Sequence, residues 1–216
     1  MINKSLNLNK FNENLIKFLQ NMTIMNKIAT HTHNQQISPV QIERAQTEDA
    51  EAIWPVYVEG RLDAQPNAEI GLTHDDMQQY LCGDRGEKVQ AGINEWRGRI
   101  ALPSDTHQVF VAREQEEGTV IGVAEGDVDR HGDRWLHKLY VAKDYREQGI
   151  GGKLIENVID WHQNERVKLK VASYNKSAGE LYKRYGFEVI RILDVTYSIY
   201  DIQIPQLLMA REASKS

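Results

Sequence analysis

The chain has 216 residues, of which 41% are hydrophobic and 26% charged, and a formal net charge of −5 at pH 7. That is enough for one domain with a real core and is the composition of a soluble globular protein. No apolar run approaches the roughly 18 residues a membrane span needs, no secretory leader pattern stands at the N-terminus, and the acidic balance disfavours nucleic acid as the main partner. One cysteine, Cys82, rules out an internal disulfide and fits the cytoplasm.

Residues 1–39 differ from the rest. They hold Lys4, Lys10, Lys17 and Lys27 against Glu13 alone, a balance of +3, so the remainder carries −8. Phe11, Leu15, Phe18, Met22 and Met25 recur at spacings of four and three, an amphipathic stripe. This stretch reads as an N-terminal extension, either poorly ordered or an amphipathic helix. His31 and His33 are too few for a metal site.

The domain is expected over residues 40–210, with 211–216 as a C-terminal tail. Val40 to Ala45 alternates as a strand. Thr47 is the expected N-cap of a helix running to about Arg61, in which Pro55 is awkward away from the first turn. Residues 63–71 read as a loop, Thr73 begins a second helical region, Gly83 to Gly86 interrupts it, and Val89, Ile93, Trp96 and Ile100 resume it. Residues 108–113 and 120–125 form a hairpin across the turn Glu114 to Gly118, and Trp135 to Val141 is a third strand. Ile150, Leu154, Val158 and Trp161 then mark a helix, Val167 to Val171 a strand, and Lys176 to Tyr185 a short helix stopped by Gly186. Phe187 to Leu193 and Tyr197 to Ile202 are two further strands, with Leu207-Leu208-Met209 prolonging the last. Antiparallel strands followed by strand–helix–strand units imply an α/β (α+β mixed) fold, a mixed central sheet flanked by helices.

The organising stretch is Arg146-Glu147-Gln148-Gly149-Ile150-Gly151-Gly152, between a strand and a helix. A glycine-rich helix entry offers free N–H groups and a positive dipole end to a phosphate. A dinucleotide fingerprint would need glycine where Leu154 stands, and a P-loop would need Ser or Thr after Gly152-Lys153. What remains, Arg-x-x-Gly-x-Gly, resembles the acetyl-CoA pyrophosphate loop of the GNAT N-acetyltransferase family. A second hallmark follows in order: Asn175, Ala178, Leu181-Tyr182 and Gly186-Phe187 are similar to the family's pattern around the thiol end of CoA.

The resemblance covers about residues 40–210 and implies the GNAT fold, acetyl-CoA as co-substrate and no metal. It implies a small-molecule amine as substrate and leaves the oligomeric state open, with a homodimer as the assembly common in the family. Acetyl transfer from a thioester needs a neutral amine, although an alkylammonium has a pKa near ~10. It also needs donors for the developing oxyanion and a proton for the leaving thiolate. By resemblance, Tyr182 is that proton donor and Asn175 and Ala178 contact the cofactor. Pantetheine would lie beside Leu139, Tyr140 and Val141, with the backbone near Leu139 facing the oxyanion, and Arg146 with the N–H groups of residues 147–152 would hold the pyrophosphate. Two residues compete for general base: Glu125, which shares a strand face with Asp127, and His137, expected on one face with Leu139; a water chain without a dedicated base stays open. Glu125, Asp127 and Asp129 slightly favour a polyamine-like acceptor, while protein N-termini and aminoglycosides remain alternatives. The rival from another class is a non-catalytic acyl-CoA-binding or regulatory module on the same fold.

Overall fold

The structure is a computed structural model that describes residues 39–102, 105–193 and 198–213. The expectations for the N-terminal stripe and for His31 and His33 lie outside the described residues. β1 (Val40–Arg44) precedes three helices, α1 (Ala50–Ala64), α2 (His74–Cys82) and α3 (Glu87–Ile100). Then come β2 (His107–Glu114), β3 (Val120–Val128), β4 (Arg134–Val141), α4 (Ile150–Trp161), β5 (Val167–Ala172), α5 (Lys176–Arg184) and β6 (Glu188–Leu193). The chain closes with β7 (Ser198–Ile199), β8 (Ile202–Gln203) and β9 (Gln206–Arg211).

Seven strands form one sheet in the order β1-β2-β3-β4-β5-β9-β6. All neighbours are antiparallel except β4 and β5, so the expected mixed sheet is borne out. Strand alternation, shifted by one residue at Ile121 where the β2–β3 register slips, divides the side chains of β2 and β3 between two cores. Phe110, Ala112, Ile121 and Ala124 pack with Leu154, Ile155 and Val158 of α4. Val109, Val111 and Val123 pack with Ile53 and Trp54 of α1 and Trp96 of α3. The stripe Ile150, Leu154, Val158 becomes helix because its buried face is continuous; each leucine-sized side chain so buried contributes about 1.5–3 kcal/mol.

Several boundaries differ from the sequence reading. Thr47 opens a short 3-10 turn instead of capping α1, and Asp49 accepts the Gln46 N–H at 2.8 Å. The helix proper starts at Ala50, encloses Pro55 and continues to Ala64. Thr73 begins the second helical region as expected, capping α2 in a reciprocal pair with Asp76. Leu207-Leu208-Met209 does not prolong another strand. It lies in β9, inserted between β5 and β6, which explains its unbroken apolar run: Leu208 and Met209 are both buried. Arg211, assigned to the tail, is the last residue of β9.

Two irregularities place the site. The β3–β4 register runs from Glu125↔His137 to Val123↔Tyr140, leaving Ala124 opposite both Lys138 and Leu139. This is a β-bulge, with Lys138 in the left-handed region at φ 48°. It separates His137 from Leu139: Leu139 packs on the α4 side, whereas His137 pairs beside Glu125 on the α1 side. The expectation of a shared face fails because one extra residue shifts the alternation. The second irregularity is the β4–β5 pairing, which is confined to Arg134↔Val167 and Trp135↔Lys168. Beyond it the two strands part.

Candidate active site

The gap between β4 and β5 opens into a groove of about 930 Å³, within the size of a small-molecule or cofactor site. Residues 137–141 form one wall and residues 170–172 the other. α1 closes one side with Tyr57, Arg61 and Gln65, and α5 closes the other with Ala178 and Tyr182.

The loop 146–152 stands at one end of this groove. Glu147 (φ 63°) and Gly149 (φ 80°) both take the left-handed conformation, and Gly149 caps α4. No N–H from Glu147 to Gly152 donates to another described residue, as the first turn of a helix requires. The glycines differ in purpose. A Cβ on Gly149 would meet nothing within 4 Å, so its need is conformational. On Gly152 a Cβ would overlap the Tyr185 hydroxyl, with Tyr185 Cζ at 2.5 Å, so this glycine lets the Tyr185 ring lie against α4. Tyr185 therefore packs while also lining the groove. The Ile150 side chain is buried in the core, and the Gln148 amide donates to the Asp144 carbonyl at 3.1 Å. Arg146 lines the groove with its charge partly met: Nε donates to the Val141 carbonyl at 2.8 Å and Nη1 to Asp63 at 2.7 Å.

Asn175 and Tyr182 reach the groove from α5. Asn175 is the helix N-cap; its Oδ1 accepts the Ala178 N–H at 3.1 Å, leaving the NH₂ as its remaining donor. The sequence reading gave Asn175 only a cofactor contact and missed this capping role. Tyr182 is buried, its ring edge-on to Phe187 at 5.9 Å. Burial holds its phenol well above the ordinary tyrosine value, so it stays protonated.

The two base candidates part company. Glu125 is 2% exposed and does not line the groove. Its Oε1 accepts Arg99 Nη1 and His107 Nε2, each at 2.7 Å. An ionised carboxylate only accepts, so His107 donates through Nε2, and His107 Nδ1 and Glu125 Oε2 are buried without a hydrogen-bond partner among the described residues. Despite the opposing cost of burial, the His107 hydrogen bond and the Arg99 charge bring the Glu125 carboxyl down to about 2. His137 does line the groove, stacked on Trp135 at 5.8 Å. Burial lowers its pKa, against the raising effect of Glu125 and Asp127.

Lys138, Tyr57, Lys170 and Gln206 line the groove as well, and the sequence reading singled out none of them for the site. Lys138 is brought in by the bulge and the others by tertiary packing, so no local motif marks them. Cys82 is half-buried in α2 and absent from the groove. No helix among the described residues is long and apolar enough to cross a membrane.

The sequence model of the acetyltransferase (GNAT) family matches residues 72–187, more than half of the chain. Among curated relatives, a probable N-acetyltransferase, camello, of Xenopus tropicalis is 35% identical over 81 residues; the match takes in 35% of this chain and 37% of that one, so the likeness spans about a third of either. A GNAT acetyltransferase from Streptococcus pneumoniae superposes with a TM-score of 0.60 at 20% identity, covering 82% of this chain and all of that one. The structure of yncA, a putative acetyltransferase from Salmonella typhimurium with its cofactor acetyl-CoA, also gives 0.60, at 17% identity, covering 83% and 96%. At such identities the superpositions speak for the fold, and the family match with the loop and groove described above speaks for the lineage: the chain belongs to the GNAT family of acetyltransferases.

Proposed function

We propose that this protein is an acetyl-CoA-dependent N-acetyltransferase that moves acetyl to a primary amine by direct attack in a ternary complex. The observation that carries the reading is a single groove that joins a run of unpaired N–H groups, an open strand edge and a protonated tyrosine. The fit to acetyl-CoA is structural. Residues 147–152 offer N–H groups to a pyrophosphate at a helix N-terminus, where Gly149 leaves the approach open. Past Trp135, β4 has no strand partner on its β5 side among the described residues, which suits a strand-like pantetheine along residues 139–141. The solved neighbour yncA holds acetyl-CoA, in keeping with this assignment.

Acetyl-CoA supplies a thioester whose thiolate can leave. As the amine nitrogen bonds to the carbonyl carbon and the C–S bond breaks, the ammonium gives up two protons overall and the thiolate receives one. His137 is the proposed acceptor for the first of these: burial keeps the imidazole neutral near pH 7. Tyr182 donates to the thiolate, and the backbone at the Lys138–Leu139 bulge faces the developing oxyanion. Arg146 and Asn175 hold the two ends of the cofactor. Glu125, occupied by Arg99 and His107, takes no direct part in this scheme. The slight preference for a polyamine loses its support, because Glu125, Asp127 and Asp129 all lie outside the groove lining. The catalytic unit is residues 40–211, which takes in the whole of β9, and its setting is the cytoplasm.

The test is thiol release from acetyl-CoA against a panel of amines, with Tyr182→Phe beside the wild type. A fall in kcat of on the order of 10²–10⁴-fold with unchanged CoA affinity supports the scheme. Equal rates for both proteins, or CoA binding with no transfer to any amine, would favour the acyl-CoA-binding module.

A further inference from the structure

We infer that the acceptor is an amine that also bears a carboxylate, an amino acid or close derivative, whose anionic end is held by Lys138 and Lys170 on the α1 side of the groove. This rests on the transferase reading above. The two lysines come from the strands that part. Lys138 sits at the bulge with Nζ 5.4 Å from the Trp96 ring centroid and 5.6 Å from that of Tyr57. Its carboxylate neighbour, Glu95, lies 3.6 Å away and is shared with Arg99 at 2.9 Å. Burial and the Arg99 charge outweigh Glu125 and Glu95 and hold the Lys138 ammonium below the usual lysine range, so an arriving anion is favoured there. Lys170 is exposed and lies 5.4 Å over the Trp135 ring. Its strand neighbour Lys168 is paired with Asp133 at 2.7 Å, whereas no described carboxylate pairs with Lys170.

The acids of the groove stand elsewhere. Asp63 and Glu147 belong to the loop end, where Asp63 already meets Arg146. The three acids a polycation would need are withdrawn or spent. Glu125 is buried on Arg99 and His107, Asp127 is outside the groove lining, and Asp129 accepts the His131 and Asp133 N–H groups and Trp135 Nε1. Although the whole chain is acidic, this end of the groove presents two lysine ammoniums, each held over aromatic rings, whose charge draws in an anion. His137 directly precedes Lys138 in β4, so the amine and the carboxylate recognised here are close together, as in an amino acid.

Matched amines test this directly: lysine with cadaverine, phenylalanine with phenethylamine, β-alanine with ethylamine, and spermidine alongside. The expected result is that the carboxylated member of at least one pair has the higher kcat/KM, by on the order of tenfold to a hundredfold, the worth of a hydrogen bond to a charged group. Lys138→Met and Lys170→Met each raise KM for that amine, and Lys170→Met leaves KM for acetyl-CoA and the rate on its decarboxylated partner unchanged. Preference for spermidine or for the decarboxylated members overturns the inference, as do lysine variants with unaltered KM. Lys170 is exposed, so its variant keeps the fold even where Lys138→Met does not. If no amine turns over, calorimetric titration of the CoA-bound protein decides. Binding of a carboxylated amine that Lys170→Met weakens supports the carboxylate site, and absent binding overturns it while the CoA site stands.

Discussion

Replacing Glu125 with glutamine separates its two candidate roles. The side chain keeps its volume, so the change removes charge without opening a cavity. In the folded protein the Glu125 carboxyl is held at about 2, against an ordinary 4.5. At roughly 1.4 kcal/mol for each pH unit of displacement, that corresponds to about 3 kcal/mol of stability. The folded value is the lower one, so this contribution is fully present above 4.5 and is lost as pH falls from 4.5 through about 2. Breaking one side of a buried ion pair costs a similar amount, about 3–5 kcal/mol. For a domain of this size the variant should melt lower by roughly 6–12 °C at pH 7. Scanning calorimetry of both proteins from pH 7 to pH 2.5 should show the gap narrowing only below about pH 4.5. Initial rates at 25 °C should stay within a few-fold of wild type, because the carboxylate lies outside the groove. A variant as stable as wild type at pH 7 would refute the ion-cluster account. A kcat lower by 10²–10⁴-fold in a fully folded variant would instead restore Glu125 as the base.

The remaining expectations concern the groove. For His137, the acid limb of kcat at saturating amine should lie below pH 6.5, with activity rising as the buried imidazole loses its proton. The limb should vanish in His137→Asn, and a limb that survives unchanged assigns the proton to another group. Gly152→Ala should cost about 1–3 kcal/mol in urea titrations through overlap with the Tyr185 ring, and Tyr185→Phe in the same chain should recover part of it by removing the nearest atom. A Gly152→Ala protein of wild-type stability would mean that Tyr185 does not pack there. Gly149→Ala, with open space around it, should cost only about 1 kcal/mol, the penalty of the left-handed conformation.

Much of the fold was legible because local chemistry and tertiary outcome agree. The stripe through Leu154 and Val158, the alternation of residues 167–171 and the Thr73 cap each carry their signal within one element, as does the loop 146–152, whose free N–H groups follow from its place at a helix start. The placement of Leu207-Leu208-Met209 was not legible. An unbroken apolar run announces burial on both faces without naming the neighbours, and only the topology puts it between β5 and β6.

The chemistry divides along the same line. By themselves the residues determined a glycine-rich loop ahead of an amphipathic helix, with Asn175 and Tyr182 at and on the helix after the next strand. Periodicity could not see the bulge at Lys138, because one extra residue is invisible until a partner strand supplies the register. That residue turns His137 away from Leu139 and swings Lys138 over Trp96 and Tyr57. Glu125 and His137 look equally suited to be the base in the sequence. Burial and charge set their surroundings apart, and both depend on residues far away in the chain: Arg99 and His107 enclose the carboxylate, while the parting of β4 from β5 leaves the imidazole at the groove.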